Sequence, residues 1–176
     1  MPDTRDHLGL CVRHFRRERG FAVPDRYDEF EPQVRRLEAA MRRAPEPLVP
    51  CNNDLLAENF LWDGTRFRLI DWEYSGMNEA SFELGNVWSE SDLSLAQLEE
   101  LVGSYWGEAT PAKVARARMW GLMSKYGWTL WGAIQSAQSS IDFDFWEWAM
   151  EKYDRARSTF TSASFDSLIE QVQRAD

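Results

Sequence analysis

Residues 59–71 read Asn-Phe-Leu-Trp-Asp-Gly-Thr-Arg-Phe-Arg-Leu-Ile-Asp, two short apolar runs on either side of an Asp-Gly pair. Asp-Gly between such runs is a strong hairpin signal, because both residues tolerate the left-handed backbone that a tight turn requires. A hairpin returns the chain to where it started. Asn59 and Asp71, twelve positions apart, are therefore expected side by side. Asp54 precedes Asn59 by five residues, in a loop opened by Pro50. An amide and a carboxylate thus meet at one end of a hairpin, with a second carboxylate in the loop just before it.

The remainder reads as helix. Tyr27 to Met41 carries helical apolar spacing through Phe30, Val34, Leu37 and Met41, and Pro45, Pro47 and Pro50 stop it. The first 20 residues read as a further helical, Arg-rich stretch ending near Gly20. Phe82 to Glu90 is an expected helix. Ser94-x-x-Gln97 is a capping box before the next one. Thr110-Pro111 opens a long helix toward Ser139, Asp144-x-x-Glu147 another, and Phe165 to Val172 is the last. The expectation is one domain over 1–176, mainly α around a small β-hairpin, with no internal repeat.

Composition narrows the function classes. Residues 1–43 hold ten Arg against eight Asp and Glu, whereas the rest hold ten Lys and Arg against 21 Asp and Glu. An acidic body argues against nucleic-acid binding, which rests on neutralising phosphates with basic side chains. It suits a cationic ligand and a divalent metal. No apolar run approaches the roughly 18 residues that span a bilayer. No leader of the secretory kind opens the chain, and Cys11 and Cys51 make neither a disulfide framework nor a metal-ligand spacing. A cytoplasmic protein with no membrane partner is the expectation.

Phosphoryl transfer needs an acceptor for the substrate hydroxyl proton and oxygen ligands for Mg²⁺. An Asp, an Asn five residues later and a second Asp beyond a hairpin supply these in kinase-type sites. Asp and Asn are also common in turns, so spacing alone is weak. The hairpin and the Trp72-Glu73-Tyr74 that follows Asp71 strengthen it. A second set is aromatic. Trp128 and Trp131 share a helix face, Trp146 and Trp148 begin a later helix, and Tyr74 lies three residues past Asp71. Core packing is the ordinary role of such residues, but aromatic faces also attract quaternary ammonium groups. Trp62, Trp72, Trp88, Trp106 and Trp120 are assigned to packing. His7 and His14 are expected at the surface, and Arg13, Arg16, Arg17 and Arg19 on a solvated helix face.

Pro50 to Leu61 and Leu69 to Asn86 resemble the catalytic loop and metal-binding segment of the choline/ethanolamine kinase family, relatives of the aminoglycoside phosphotransferases. The similarity continues through Trp128-Thr129-Leu130-Trp131, Ser139 to Phe143 and Trp146-Glu147-Trp148. It implies the C-terminal lobe of a protein-kinase-like fold, with a catalytic loop at 50–61, a metal-binding segment at 69–74 and a helical substrate-binding part at 80–160. It also implies Asp54 as the catalytic base, Asn59 and Asp71 as Mg²⁺ ligands, and ATP as phosphoryl donor. Tyr74, Glu90, Trp128, Trp131 and Trp148 match the positions around the choline headgroup, and Trp148 departs from the Tyr that the family often has. Asn52 stands where the family usually has a His that scaffolds the loop.

Kinase chemistry also requires a Gly-rich loop over the phosphates and a Lys that pairs with them. Before Asp54 the glycines are Gly9 and Gly20, and the first Lys of the chain is Lys113. The N-terminal ATP-binding lobe is therefore expected to be absent, the chain inactive by itself, and the apolar surface facing that lobe prone to self-association. The rival readings are a phosphotransferase for another amino-alcohol, an aminoglycoside or a sugar, and a non-catalytic cation-binding module.

Overall fold

The computed structural model describes residues 22–174. The expected first helix, with both histidines, the Arg run and Cys11, lies outside the described residues.

Thr110 accepts a hydrogen bond from the Lys113 amide and Pro111 occupies the first turn, so the longest helix, α4 (Pro111–Gln138), starts where its sequence says it should. The other five α-helices among the described residues all pack against it. A 3₁₀ turn (Tyr27–Phe30) leads into α1 (Glu31–Arg43). Strand β1 (Leu48–Cys51) follows, then the hairpin β2 (Phe60–Trp62) and β3 (Phe67–Leu69), then β4 (Gly76–Glu79). The helices α2 (Ala80–Glu90), α3 (Leu95–Trp106), α4, α5 (Phe145–Phe160) and α6 (Ser164–Val172) complete the chain. The capping box at Ser94 and Gln97 is formed in both directions, and Asp144 caps α5 through the Glu147 amide. No helix among the described residues is long and apolar enough to cross a membrane.

The main core joins the Tyr27–Met41 segment to α4, α5 and α6 through Phe30, Leu37, Met119, Tyr126, Phe160 and Ile169. Tyr27 and Tyr126 stack with ring centroids 4.0 Å apart. Each phenol donates to the other residue's carbonyl, at 2.6 and 2.7 Å, so two buried hydroxyls are satisfied at once. A second cluster packs Leu98, Val102, Val114 and Ala117 against Trp88 and Trp106.

Two features fix α4 against the site. Gly85 of α2 and Gly121 of α4 meet backbone to backbone. A Cβ on Gly85 would fall 2.1 Å from the Ala117 carbonyl oxygen, and one on Gly121 2.8 Å from that of Gly85. No side chain could be accommodated there without separating the helices. Arg116 of α4 forms a buried pair with Glu79 at the end of β4, 2.8 Å between Nη2 and Oε2. Its guanidinium also donates to the Met41 carbonyl, and Trp120 Nε1 donates to Glu79.

One pairing went beyond the expected hairpin. β1 and β4 form a second antiparallel ladder, Leu48 opposite Glu79 and Cys51 opposite Gly76. Prolines 45, 47 and 50 end α1 as expected, yet Pro50 itself lies within β1. The sheet has only two strands, so a residue without an amide proton is tolerated.

Candidate active site

The loop after β1 makes few ladder bonds, and side chains of α2 take their place. Glu83 accepts from the Asn52 amide at 3.0 Å and the Asn53 amide at 2.8 Å. Asn86, three residues on and on the same helix face, accepts from the Leu55 amide at 2.8 Å. Asn86 in turn donates to Ser124 Oγ of α4 at 3.0 Å. Neither Glu83 nor Asn86 was singled out in the sequence, although their i, i+3 spacing placed both on one face. Burial raises the Glu83 carboxyl above its ordinary value, and the two amides it accepts oppose that shift. The Cys51 thiol is pushed up to about 12, chiefly by burial, which makes it an inert core group rather than a nucleophile.

Asn52 is buried and bridges the two acidic segments. Its Nδ2 donates to the Asp71 carbonyl at 2.7 Å, and its Oδ1 accepts from the Asp54 amide at 3.0 Å. The hairpin forms with the register expected, Phe60 opposite Leu69, and the Ile70 amide donates to the Asn59 carbonyl. At its tip, Asp63 accepts from the Thr65 and Arg66 amides, and the Thr65 hydroxyl and Arg68 hold its carboxyl well below the usual range. Asp71 follows the hairpin in a left-handed conformation, φ 58°. Asp tolerates that conformation better than most residues.

The structure thus brings Asp54, Asn59 and Asp71 together. Asn59 donates through Nδ2 to the Asp54 carbonyl at 3.0 Å, which leaves its amide oxygen as the group available to a cation. Burial, then the Asp71, Glu90 and Glu73 carboxylates, push the Asp54 carboxyl above its ordinary value, while Lys152 pulls it down. No group of three His, Cys, Asp or Glu that could hold a metal exists among the described residues. One carboxylate and one amide oxygen nevertheless fit Mg²⁺, a hard ion bound by a few protein oxygens with the balance from phosphates and water.

Burial and this repulsion together give a pH-dependent expectation. A raised carboxyl value means that folding favours the protonated acid, so the charged form is a cost at neutral pH. That cost disappears as pH falls through the folded value toward the unfolded one, about 3.9. Asp54→Asn should therefore raise the thermal midpoint at pH 7 in metal-free buffer, with the advantage shrinking as the pH falls toward about 4 and gone below it. A variant less stable than the parent at pH 7 would show that neither burial nor the neighbouring carboxylates burden the Asp54 charge.

The aromatic set is continuous. Tyr74 meets Trp128 edge-on at 5.9 Å, Trp128 meets Trp131 at 5.5 Å, and Trp131 meets Trp148 at 5.7 Å between centroids. Tyr74 is exposed and the three Trp are half-buried, so the set forms a wall rather than a sealed core. Glu90 belongs to it but is not free. Its Oε2 lies 2.5 Å from Lys152 Nζ, which in turn stands 4.4 Å over the Trp148 ring. Lys152 was missed in the sequence, although an i, i+4 relation to Trp148 was there to read. Of the Trp assigned to packing, Trp88, Trp106 and Trp120 pack against the two clusters. Trp62 and Trp72 do not. Both are more than half exposed, because nothing in the described chain covers the outer hairpin face.

A hairpin bracketed by Asn59 and Asp71, set on a helical body, is the C-terminal lobe of a kinase-type fold. The choline/ethanolamine kinase family model matches residues 17–100. Human ethanolamine kinase 2 is 31% identical over 140 residues, covering 68% of this chain and 36% of that protein. Protein LicA of Haemophilus influenzae is 29% identical over 116 residues, covering 62% and 42%. The crystal structure of a choline/ethanolamine kinase family protein from Mesorhizobium loti superposes with a TM-score of 0.87 at 30% identity, over 96% of this chain and 58% of that one. The choline kinase LicA from Streptococcus pneumoniae shares the fold at a TM-score of 0.71 and 24% identity, over 90% and 54%. The chain belongs to the choline/ethanolamine kinase family and spans well under half the length of the curated relatives it matches.

Proposed function

We propose that this chain supplies the acceptor-binding and metal-binding half of a small-molecule kinase that phosphorylates the hydroxyl of choline or ethanolamine with ATP as donor. The observation that carries this reading is the Asn52 bridge, which holds the backbones of Asp54 and Asp71 in one cluster beside the aromatic wall. On it, the acceptor's cationic end lies on Tyr74, Trp128, Trp131 and Trp148, and its hydroxyl faces Asp54. Burial and neighbouring carboxylates raise the Asp54 carboxyl, which makes its charged form a better proton acceptor. Asn59 and Asp71 would hold Mg²⁺, which when bound neutralises charge on the donor's phosphates.

What these residues do not supply is a clamp on the donor. In-line transfer depends on donor and acceptor fixed in one geometry, an effect of several kcal/mol or more. The test is a coupled ADP-release assay with Mg²⁺ and either choline or ethanolamine. The 176-residue chain alone is expected to be silent, and the same chain joined behind a kinase N-terminal lobe is expected to turn over. Turnover by the bare chain, abolished by Asp54→Ala, would overturn the requirement for a separate phosphate clamp. Turnover of an aminoglycoside but neither amino-alcohol would replace the substrate class.

A further inference from the structure

The aromatic wall already has a cation on it. Lys152 lies on α5 one turn after Trp148, and its ammonium stands 4.4 Å from the centre of that ring, inside the range of a cation–π contact. The same ammonium is 2.5 Å from the Glu90 carboxylate, and the side chains of the pair are only 12% and 4% exposed. A second ammonium lies within the field of the same carboxylate. Lys125 of α4 stands 5.2 Å over Trp88, is held below its ordinary value by burial, and is pulled back up chiefly by Glu90. One desolvated carboxylate and one open ring face are thus already served by this chain's own side chains.

We infer that Lys152 is a tethered occupant of the cation site, an internal ammonium that fills the Glu90 and Trp148 positions in the free chain and that an external cation must displace. The inference rests on the reading of the wall as a cation site. The physical ground is competition for one partner. A lysine ammonium and a quaternary or primary ammonium seek the same two features, a negative carboxylate and the negative face of an aromatic ring. Lys152 holds both without losing translational freedom, because the helix carries it there. An arriving cation therefore gains only what Lys152 gives up, and the site discriminates by that difference rather than by its full attraction. A lysine with a purely structural role has the opposite signature. Its removal would leave Glu90 unsatisfied and loosen the wall, and ligand binding would weaken.

The sign of one measurement separates the two. Choline, tetramethylammonium and the neutral isostere 3,3-dimethylbutanol are titrated at pH 8 into the 176-residue chain, followed by tryptophan fluorescence. The parent is compared with Lys152→Gln, Lys152→Met and Lys152→Arg, each checked for folding by circular dichroism. Lys152→Gln and Lys152→Met are expected to bind both cations between about twofold and thirtyfold more tightly, with the isostere unchanged. Lys152→Arg, which keeps a charge on the tether, is expected to stay near the parent. Adding Glu90→Gln to Lys152→Gln should remove the gain. Folded Lys152→Gln and Lys152→Met chains that bind cations no better than the parent would overturn the inference alone. A chain in which neither the parent nor any variant prefers the cations to the isostere would remove the cation site and the inference together.

Discussion

Arg116→Met is expected to destabilise the chain by about 3–5 kcal/mol, a large share of the roughly 5–15 kcal/mol that holds a typical domain folded. Arg116 and Glu79 have side chains only 5% and 1% exposed, and the guanidinium also satisfies the Met41 carbonyl at the end of α1. Removing the cation leaves Glu79 charged in a desolvated place with Trp120 Nε1 as its remaining side-chain donor. The coulombic attraction lost is the smaller part; the unmatched desolvation of Glu79 is the larger. The paired variant Glu79→Leu/Arg116→Met should consequently cost less than the sum of the two single changes, because the more deeply buried carboxylate leaves with its cation, while Glu46, 3.5 Å from Arg116, keeps its bonds from Ser81. Urea unfolding midpoints measure this directly. A loss below about 1 kcal/mol for Arg116→Met, in the range of an exposed pair, would show that the pair is solvated.

Asp71→Asn is expected to lower turnover by about a thousandfold in a complete enzyme built on this chain, with a thermal midpoint no lower than the parent's, since one carboxylate acting on Asp54 is removed. Asn is the informative replacement. It tolerates the left-handed backbone at φ 58° and leaves intact the carbonyl that accepts from Asn52, so only the charge is removed. An amide is a poor substitute for a carboxylate ligand to a hard cation. Mg²⁺ titration of the variant should show the apparent affinity for the metal falling with the rate. Full turnover by Asp71→Asn would reassign the metal ligand.

The parts of this molecule that were legible in its sequence are those set by local chemistry. The Asp63-Gly64 turn, the Ser94/Gln97 box, the Thr110-Pro111 start of α4 and the Asp144 cap each depend on residues within one turn of one another, and each formed as read. The convergence of Asn59 with Asp71 was legible for the same reason. The β1–β4 ladder was not, because it joins Val49 to Asn78 across 29 positions and Pro50 disguises one of its strands. Glu83 and Asn86 looked like ordinary helical residues; only the fold shows that loop amides, rather than solvent, lie opposite them. Glu90 was read as a waiting carboxylate because its neighbour across space, Lys152, is 62 positions away. Trp62 and Trp72 were misassigned because burial on a hairpin depends on what lies over it, which residue type does not reveal.

The run of bonds from the Leu55 amide through Asn86 to Ser124 ties a surface loop to the middle of the longest helix. Loops at functional sites usually open far more easily than the core beneath them, and their amides exchange with solvent accordingly. Here the acceptor for the Leu55 proton is fully buried and sits beside the Gly85–Gly121 contact, where the two helices cannot part without breaking their closest approach. Releasing the Leu55 amide breaks a bond to a side chain that α2 and α4 enclose. In deuterated solvent this amide should exchange in step with the core amides of α4, while those of the hairpin tip exchange early. The segment bearing Asp54, with the Asp71 backbone that Asn52 ties to it, would then behave in time as part of the helical body, and motion at the site would be confined to the outer hairpin.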